Sequence, residues 1–132
     1  MKPRKPLPRS TKPIKRGRVK RVNAQRKARE FARTYHSVER VEFVKRLPCA
    51  SCGKIGASQN AHIGKEGKGA ARKGNYDQIA PLCGPNRWGE IGCHTLHDLY
   101  YSTTFRTLFP RFDAPQACAA TEAAWQSYTA GA

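Results

Sequence analysis

The chain has few acidic residues and no long apolar stretch, and both shortages exclude protein classes. Its 132 residues include 9 Asp and Glu against 25 Lys and Arg, so the formal net charge is +16. No run approaches the roughly 18 apolar residues of a membrane-spanning helix. The basic N-terminus also lacks the apolar segment of a secretory signal. We therefore expect a cytoplasmic protein without a membrane partner, in which paired cysteines are more often metal ligands than disulfides.

The positive charge is concentrated in the first third of the chain. Residues 1–47 contain 17 basic and 3 acidic side chains, whereas residues 48–132 contain 8 and 6. Residues 1–22 include four prolines and no acid, which predicts a disordered basic arm. Such an arm favours binding to a polyanion, most plausibly nucleic acid. The candidate phosphate contacts of the arm include Arg16, Arg18, Lys20 and Arg21.

The remaining chain predicts a single small domain with a helical lead-in. In residues 23–47, apolar side chains recur every three or four positions, which predicts helices with a bend near His36 and a cap at Ser37. The side chains expected to make core contacts are Phe31, Tyr35, Val38, Val41, Val44 and Leu47. Residues 48–132 then predict a cysteine turn, a strand over 58–63 that ends at His62, and a second strand over 76–83. A helix opens at Cys93, with Leu96, Leu99, Tyr100 and Phe105 facing inward. A last amphipathic helix spans residues 115–128 and is expected to pack Cys118 and Trp125 against the core.

Four of the five cysteines have the spacing of a structural zinc site. Cys49 and Cys52 form a C-x-x-C turn in which Gly53 can adopt a positive φ, and Cys83 and Cys93 follow about thirty residues later. Four thiolates would close a tetrahedron and leave no vacancy for a substrate. The nine residues between Cys83 and Cys93 are more than usual, so a histidine in place of Cys93 is the alternative ligand. The fifth cysteine, Cys118, is expected to be a small buried apolar residue.

Three of the four histidines are candidates for chemistry if the cysteines hold the zinc. His94 and His97 are three residues apart and share a helix face, and His62 lies at the end of the first strand. A hairpin followed by a helix can hold a second metal ion between them. We therefore expect these histidines to have a function rather than a purely structural role.

These residues resemble a known nuclease family. The segments "AHI", "YDQIAPLC" and "CHTLHD" are similar to the HNH endonuclease motif, which implies an α+β chain with a ββα-metal core. The similarity is greatest to phage-encoded members with a zinc knuckle, including recombination enhancement nucleases that act with RecA. The segments "VERVEFVKRLPCASCG" and "KPLPRSTKPIKR" also resemble that group. The resemblance covers about residues 37–108.

The resemblance implies a role for each matching residue. His62 would be the general base, and Asp77 would position it or help bind metal, with Asn75 as the alternative. His94 would bind a catalytic divalent ion such as Mg²⁺ or Mn²⁺. His97 would be a second ligand or a phosphate contact, and Asp98 could share that role. Many members have Asp or His as a metal ligand where this chain has Ala61.

The function that the resemblance implies is metal-dependent hydrolysis of DNA, with a RecA-type filament as a second partner, in the cytoplasm of a bacterial host. Residues 64–75 form a glycine-rich loop whose cations would contact the DNA backbone: Lys65, Lys68, Arg72 and Lys73. Neither a base-reading helix nor an aromatic stacking platform stands out, so little sequence preference is expected. The rival hypotheses are a non-catalytic zinc-stabilised nucleic-acid-binding protein and an adaptor whose arm contacts an acidic protein.

Overall fold

The computed structural model describes residues 11–12, 17, 23–63 and 74–131. The predicted arm contacts Arg16, Arg18, Lys20 and Arg21 lie outside these residues, as do the loop contacts Lys65, Lys68, Arg72 and Lys73. Those assignments therefore stay predictions. Within the described ranges, no helix is both long enough and apolar enough to cross a bilayer.

Two helices form the lead-in, and the junction between them is where the sequence predicted a bend. Helix α1 (Ala24–Tyr35) is capped by Asn23, and helix α2 (Val38–Arg46) is capped by Ser37, whose hydroxyl accepts from the Arg40 backbone N–H. His36 has a φ of 69°, which ends α1. Because this turn interrupts the helical period, the apolar residues of α1 and α2 do not form one continuous surface that faces the core. Phe31 and Val38 are 39% and 67% exposed, so their predicted core positions were wrong.

The centre of the fold is a two-stranded antiparallel hairpin. Strand β1 (Ser58–His62) pairs with strand β2 (Ile79–Cys83), with Ser58 opposite Cys83 and His62 opposite Ile79. The second strand is shorter than predicted, because Tyr76–Gln78 form one turn of 3₁₀ helix whose capping involves Asn75 and Gln78. Every residue of β2 is buried, which agrees with its uninterrupted apolar sequence.

The chain after the hairpin is helical. Helix α3 (Cys93–Leu99) continues through a π-helical turn (Tyr101–Phe105) and a short helix α4 (Arg106–Leu108), and helix α5 (Ala114–Ala130) follows. Phe105 is buried and Leu96 packs against the core, as predicted. Leu99 and Tyr100 are 70% and 44% exposed, contrary to prediction. Helix α3 ends at Leu99 and the π turn changes the number of residues per turn, so the 3.6-residue period no longer holds.

The hydrophobic core lies between the hairpin and the helices around it. Helix α2 packs against β1, and helices α3 and α5 pack against β2. Helix α5 contributes Cys118 and Trp125, each 5% exposed, as predicted. The expected α+β class is confirmed: the described residues combine helices with a small two-stranded sheet, and four cysteines lie together beside it.

Candidate metal centre and adjoining histidines

Four cysteines from three parts of the fold converge at one end of the hairpin. Cys49 and Cys52 follow α2, Cys83 ends β2, and Cys93 begins α3. Their four sulfur atoms lie within 4.8 Å of one another. A hydrogen bond of 2.8 Å from the Ala50 N–H to the Pro81 carbonyl ties the cysteine turn to β2. The predicted group of four cysteines is therefore confirmed as a potential metal site.

The sulfur geometry fits a tetrahedral thiolate site. Cys52 Sγ and Cys83 Sγ are 3.7 Å apart, and two sulfurs bound to one zinc at about 2.3 Å are separated by roughly 3.8 Å. Gly53 has a φ of 77°, which glycine adopts without steric cost, and its N–H donates to the Cys49 carbonyl. Cys118 lies outside the group and is buried.

The thiols have strongly unequal pKa values. Burial raises the pKa of Cys49, but N–H donors of Cys52, Ser51 and Cys83, together with the Ser51 hydroxyl, outweigh burial and lower this pKa to about 6. Burial is the main cause that raises the pKa of Cys93, and the neighbouring sulfurs raise it further. The pKa of Cys52 is also raised, chiefly by burial. One thiolate therefore forms readily, and a bound cation would stabilise the others.

The long interval between Cys83 and Cys93 folds into a closed loop. A Cβ atom on Gly92 would lie 2.3 Å from the carbonyl oxygens of Cys83 and Gly84, so only glycine allows the two ends of the loop to meet. Cys93 N–H then donates to Cys83 Sγ at 3.3 Å. Because Cys93 itself completes the group, the alternative of a histidine in its place is not needed.

A stripe of polar side chains on β1 anchors the hairpin to α1 and α2. Ser58 Oγ donates to the Leu47 carbonyl, and Asn60 Nδ2 donates to the Val41 carbonyl. His62 Nε2 donates to the Thr34 carbonyl at 3.0 Å. These residues alternate along the strand and therefore share one face. The sequence analysis missed this stripe, although polar residues at positions 58, 60 and 62 were its visible signal.

The hydrogen bond of His62 determines which ring nitrogen can act as a base. A carbonyl oxygen only accepts, so Nε2 carries the hydrogen and Nδ1 is the basic nitrogen of the neutral ring. The ring also packs edge-on against Tyr35 at 5.2 Å between centroids. His62 is therefore held in one orientation at the end of β1.

His94 lies on the other face of the same strand. Its Nδ1 is 2.9 Å from Gln59 Oε1, and its Nε2 is 3.3 Å from Asp98 Oδ2. Because the Gln59 amide oxygen can only accept, Nδ1 carries the hydrogen. Nε2 is then the nitrogen available to a metal ion, beside a carboxylate one helical turn further along α3. The contact between His94 and Asp98 was not predicted; Asp98 was expected only to share the role of His97.

The other predicted site residues have different neighbours. The His97 ring lies in an aromatic cluster, 5.1 Å from the rings of Tyr101 and Phe105, and its Nδ1 is 3.5 Å from Asp98 Oδ1. Asp77 is exposed in the 3₁₀ turn. Asn75 accepts a hydrogen bond from Arg33 Nη1 at 3.3 Å.

The structure therefore brings together some of the predicted site residues and not others. Across residues 23–63 and 74–131, the four cysteines are the one set of three or more candidate ligands whose atoms cluster. His62, His94 and His97 do not form such a set there, because strand alternation turns His62 away from the face that contacts His94.

The chain was compared with protein-family models, curated proteins and solved structures, and none of them matches it.

Proposed function

We propose that the protein is a metal-dependent endonuclease that hydrolyses DNA phosphodiester bonds. The observation that supports this most directly is the orientation of His62 at the end of β1. Its Nε2–H is bound to the Thr34 carbonyl, and the proposal assigns the role of proton acceptor to Nδ1. A backbone carbonyl that fixes the tautomer of a histidine is a common device for positioning a general base.

The four cysteines hold a structural zinc ion in this proposal. Three of them are buried and the fourth is exposed, and their spacing suits four sulfur ligands. Four thiolates complete the coordination of zinc, so this ion would hold the cysteine turn, β2 and α3 together without touching a substrate. In this proposal the histidines take no part in that coordination.

His94 and Asp98 are the residues of the described chain best placed to hold a divalent ion such as Mg²⁺ or Mn²⁺. His94 Nε2 and Asp98 Oδ2 are 3.3 Å apart, so one ion can reach both. Such an ion, when bound, stabilises charge on the phosphate oxygens and the leaving 3′-oxygen. His62 Nδ1 takes the proton from the attacking water. The two ends produced are a 5′-phosphate and a 3′-hydroxyl.

The positions of His62 and His94 on two faces of β1 are compatible with this division of roles. In the nuclease family that the chain resembles, the residue before the general base is often a metal ligand. Here Ala61 occupies that position and is fully buried. In this proposal Asp98, beside His94 on α3, supplies the carboxylate that Ala61 lacks.

The proposed substrate is bound mainly through its backbone. The net charge of +16 is concentrated in residues 1–47, which favours phosphate contacts without base reading. The resemblance to phage nucleases places this activity in DNA recombination or processing in a bacterial host cell, with a RecA-type filament as a candidate partner.

A plasmid-nicking assay with Mg²⁺ or Mn²⁺ tests the proposal. We expect His62→Ala to lower the nicking rate by about 10²- to 10⁴-fold, the usual contribution of a general base, while DNA affinity is retained. His94→Ala and Asp98→Asn are expected to lower the rate and to raise the Mn²⁺ concentration that half-saturates it. His36→Asn is the control for the loss of an imidazole, because the His36 ring packs against Tyr76 and Trp125 and has no role in the proposed chemistry.

A non-catalytic nucleic-acid-binding protein is the second candidate. The observation that favours it is the buried Ala61 at the position of a family metal ligand, together with the absence of a three-ligand histidine group among the described residues. If the zinc-loaded wild type binds DNA but fails to nick it with either ion, this second candidate replaces the nuclease.

A further inference from the structure

The loop between Cys83 and Cys93 exposes a tryptophan that the proposed chemistry does not use. Trp88 is 80% exposed, which is unusual because tryptophan has the largest side chain and is highly buried on average. No aromatic stacking platform stood out in the sequence, where Trp88 is one tryptophan in a glycine-containing loop.

Hydrogen bonds within the loop fix its conformation, and this conformation exposes Trp88. Asn86 Oδ1 accepts from the backbone N–H groups of Trp88 at 2.9 Å and of Glu90 at 3.0 Å. Asn86 N–H in turn donates to the Glu90 carbonyl, and Gly89 supplies the positive φ of 78° that the turn needs. None of these bonds involves the indole ring.

A cation accompanies the indole. The Arg87 guanidinium lies 5.8 Å from the centroid of the Trp88 ring, within the range of a cation–π contact. An aromatic face with an arginine beside it suits one ligand chemistry in particular: a base stacks on the ring while the guanidinium contacts its phosphate. The strongly positive net charge of the chain favours the same polyanionic ligand.

The loop begins and ends beside His94. A Cβ atom on Gly84 would lie 2.3 Å from the Gln59 amide nitrogen, so that amide packs directly on the first residue of the loop. The amide oxygen of the same Gln59 side chain contacts His94 Nδ1 at 2.9 Å. Trp88 and His94 are six positions apart in the sequence, which places their Cα atoms within about 21 Å even for an extended chain.

We infer that Trp88 is a stacking platform for an unpaired nucleobase, so that the site prefers single-stranded or locally unpaired DNA over a regular duplex. In a duplex the bases are already stacked on one another and offer no free face to the indole. This inference rests on the proposed function, whose substrate class it narrows. Arg87 is assigned a supporting contact to the phosphate of the stacked nucleotide.

Binding measurements without added divalent ion test the inference on the full-length, zinc-loaded chain. The probes are a fluorescein-labelled oligothymidylate of about 15 nucleotides, within the site sizes common for single-strand binders, and a duplex of equal length. Trp88→Ala is expected to weaken single-strand binding roughly 5- to 150-fold, which corresponds to one stacked base. Duplex binding is expected to change by less than about threefold, and Trp88→Phe to recover most of the single-strand affinity.

Intrinsic fluorescence supplies a second readout. The chain has two tryptophans, and Trp125 is 5% exposed, so quenching by unlabelled oligothymidylate reports on Trp88. The quenching is expected to disappear in Trp88→Ala. Leu108→Ala is the matched control, because Leu108 is an exposed apolar residue, 57% accessible, elsewhere on the surface. Zinc content confirms that each variant is folded.

Two results would overturn the inference. One is unchanged single-strand affinity and unchanged fluorescence, which would leave the exposed indole to a protein partner. The other is an equal loss on single strands and duplex, which would make Trp88 a general backbone contact. Different results test the stacking inference and the nuclease proposal. A wild type that binds single strands through Trp88 but never nicks DNA would support the stacking inference and refute the nuclease proposal.

Discussion

Arg40 illustrates how a single buried charge is accommodated in this fold. Its side chain is fully buried, and its Nη2 lies 2.8 Å from Glu122 Oε2 on α5. The guanidinium also lies 5.2 Å from the centroid of the Tyr76 ring. Its Nε and Nη1 are buried without a hydrogen-bond partner among the described residues. Glu122 is therefore the main compensation for a charge that water does not reach.

Removing the negative charge of Glu122 should destabilise the protein. We expect Glu122→Gln to lower the free energy of unfolding by about 1–3 kcal/mol, since it leaves a buried charge unpaired while keeping the shape of the side chain. Urea denaturation at neutral pH is the measurement. Glu42→Gln is the control: Glu42 pairs with Lys45 on the surface, where both side chains are about half exposed, and its loss should cost less than about 0.5 kcal/mol.

The effect of Glu122→Gln should also depend on pH. Partial burial raises the pKa of Glu122, but hydrogen bonds from Gln126 and Arg40 and the charge of Arg40 outweigh it and hold this pKa below its ordinary value. A carboxyl with a lowered pKa stabilises the fold above its unfolded-state pKa, and that contribution is lost as the pH falls through the folded-state value. The difference in unfolding free energy between wild type and Glu122→Gln should therefore shrink below about pH 4. A difference that stays constant with pH would contradict the ion pair between Arg40 and Glu122.

At the residue scale, the chemical types of the site residues could be identified from the sequence, but their partners could not. His62 was recognisable as a strand-end histidine before a basic loop. The Thr34 carbonyl that orients it comes from the preceding helix, 28 residues away. A contact of that range depends on how α1 packs on the hairpin, which local pattern does not report.

The loop between β2 and α3 is the element on which the metal centre depends most. It must return the chain to the sulfur cluster after nine residues, and it does so where Gly92 meets the backbone of Cys83 and Gly84. The φ of Gly92 is −83°, which any residue adopts. Its requirement for glycine is therefore one of space rather than of backbone conformation.

Adding one methyl group at Gly92 should open this junction. We expect Gly92→Ala to lower the free energy of unfolding by about 1–3 kcal/mol, as overpacking does, and to weaken zinc retention because Cys93 is displaced. Competition with a colorimetric chelator measures the second effect. Gly131→Ala is the control, since a Cβ there would meet only the carbonyl oxygens of Ser127 and Tyr128, at 3.5 Å and 3.9 Å, which are ordinary contacts. Equal zinc retention in both variants would disprove the steric requirement.

The elements themselves were largely predictable, and the errors have a common cause. Strand β1, the cap at Ser37 and the buried face of α5 follow from alternation, capping chemistry and helical period. The predictions failed where a regular period was interrupted, at the left-handed His36 and at the π-helical turn after Leu99. Beyond such a break, periodicity no longer tells which side faces the core.

The whole molecule is a small body whose parts meet at the cysteine cluster. The two-stranded sheet is too small to be stable alone, and a core of this size commonly needs a staple. The clustered sulfur atoms come from the turn after α2, the end of β2 and the start of α3. Metal binding is therefore expected to be coupled to folding.

Removal of the metal should unfold the compact part of the chain. The purified protein is expected to contain one tightly bound zinc, and treatment with a strong chelator should abolish its cooperative thermal transition, followed by circular dichroism. Acidification should release zinc as well, because the thiolates are protonated. Cys52→Ser is expected to lose zinc, whereas Cys118→Ala is expected to retain it, since Cys118 lies outside the cluster. A cooperative transition that survives in the metal-free protein would contradict the coupling.

Cysteine spacing and strand alternation were enough to predict a potential four-cysteine metal site and an α+β body, because each depends on residue types at short range. The charge distribution favours a polyanionic partner, and that partner stays a prediction. Long-range packing decided the rest. It joined Cys93 to the other three sulfurs across a closed loop, and it turned His62 and His94 to opposite faces of one strand. It also left Trp88 in water. These outcomes depend on which backbones approach one another, and that is a property of the assembled fold.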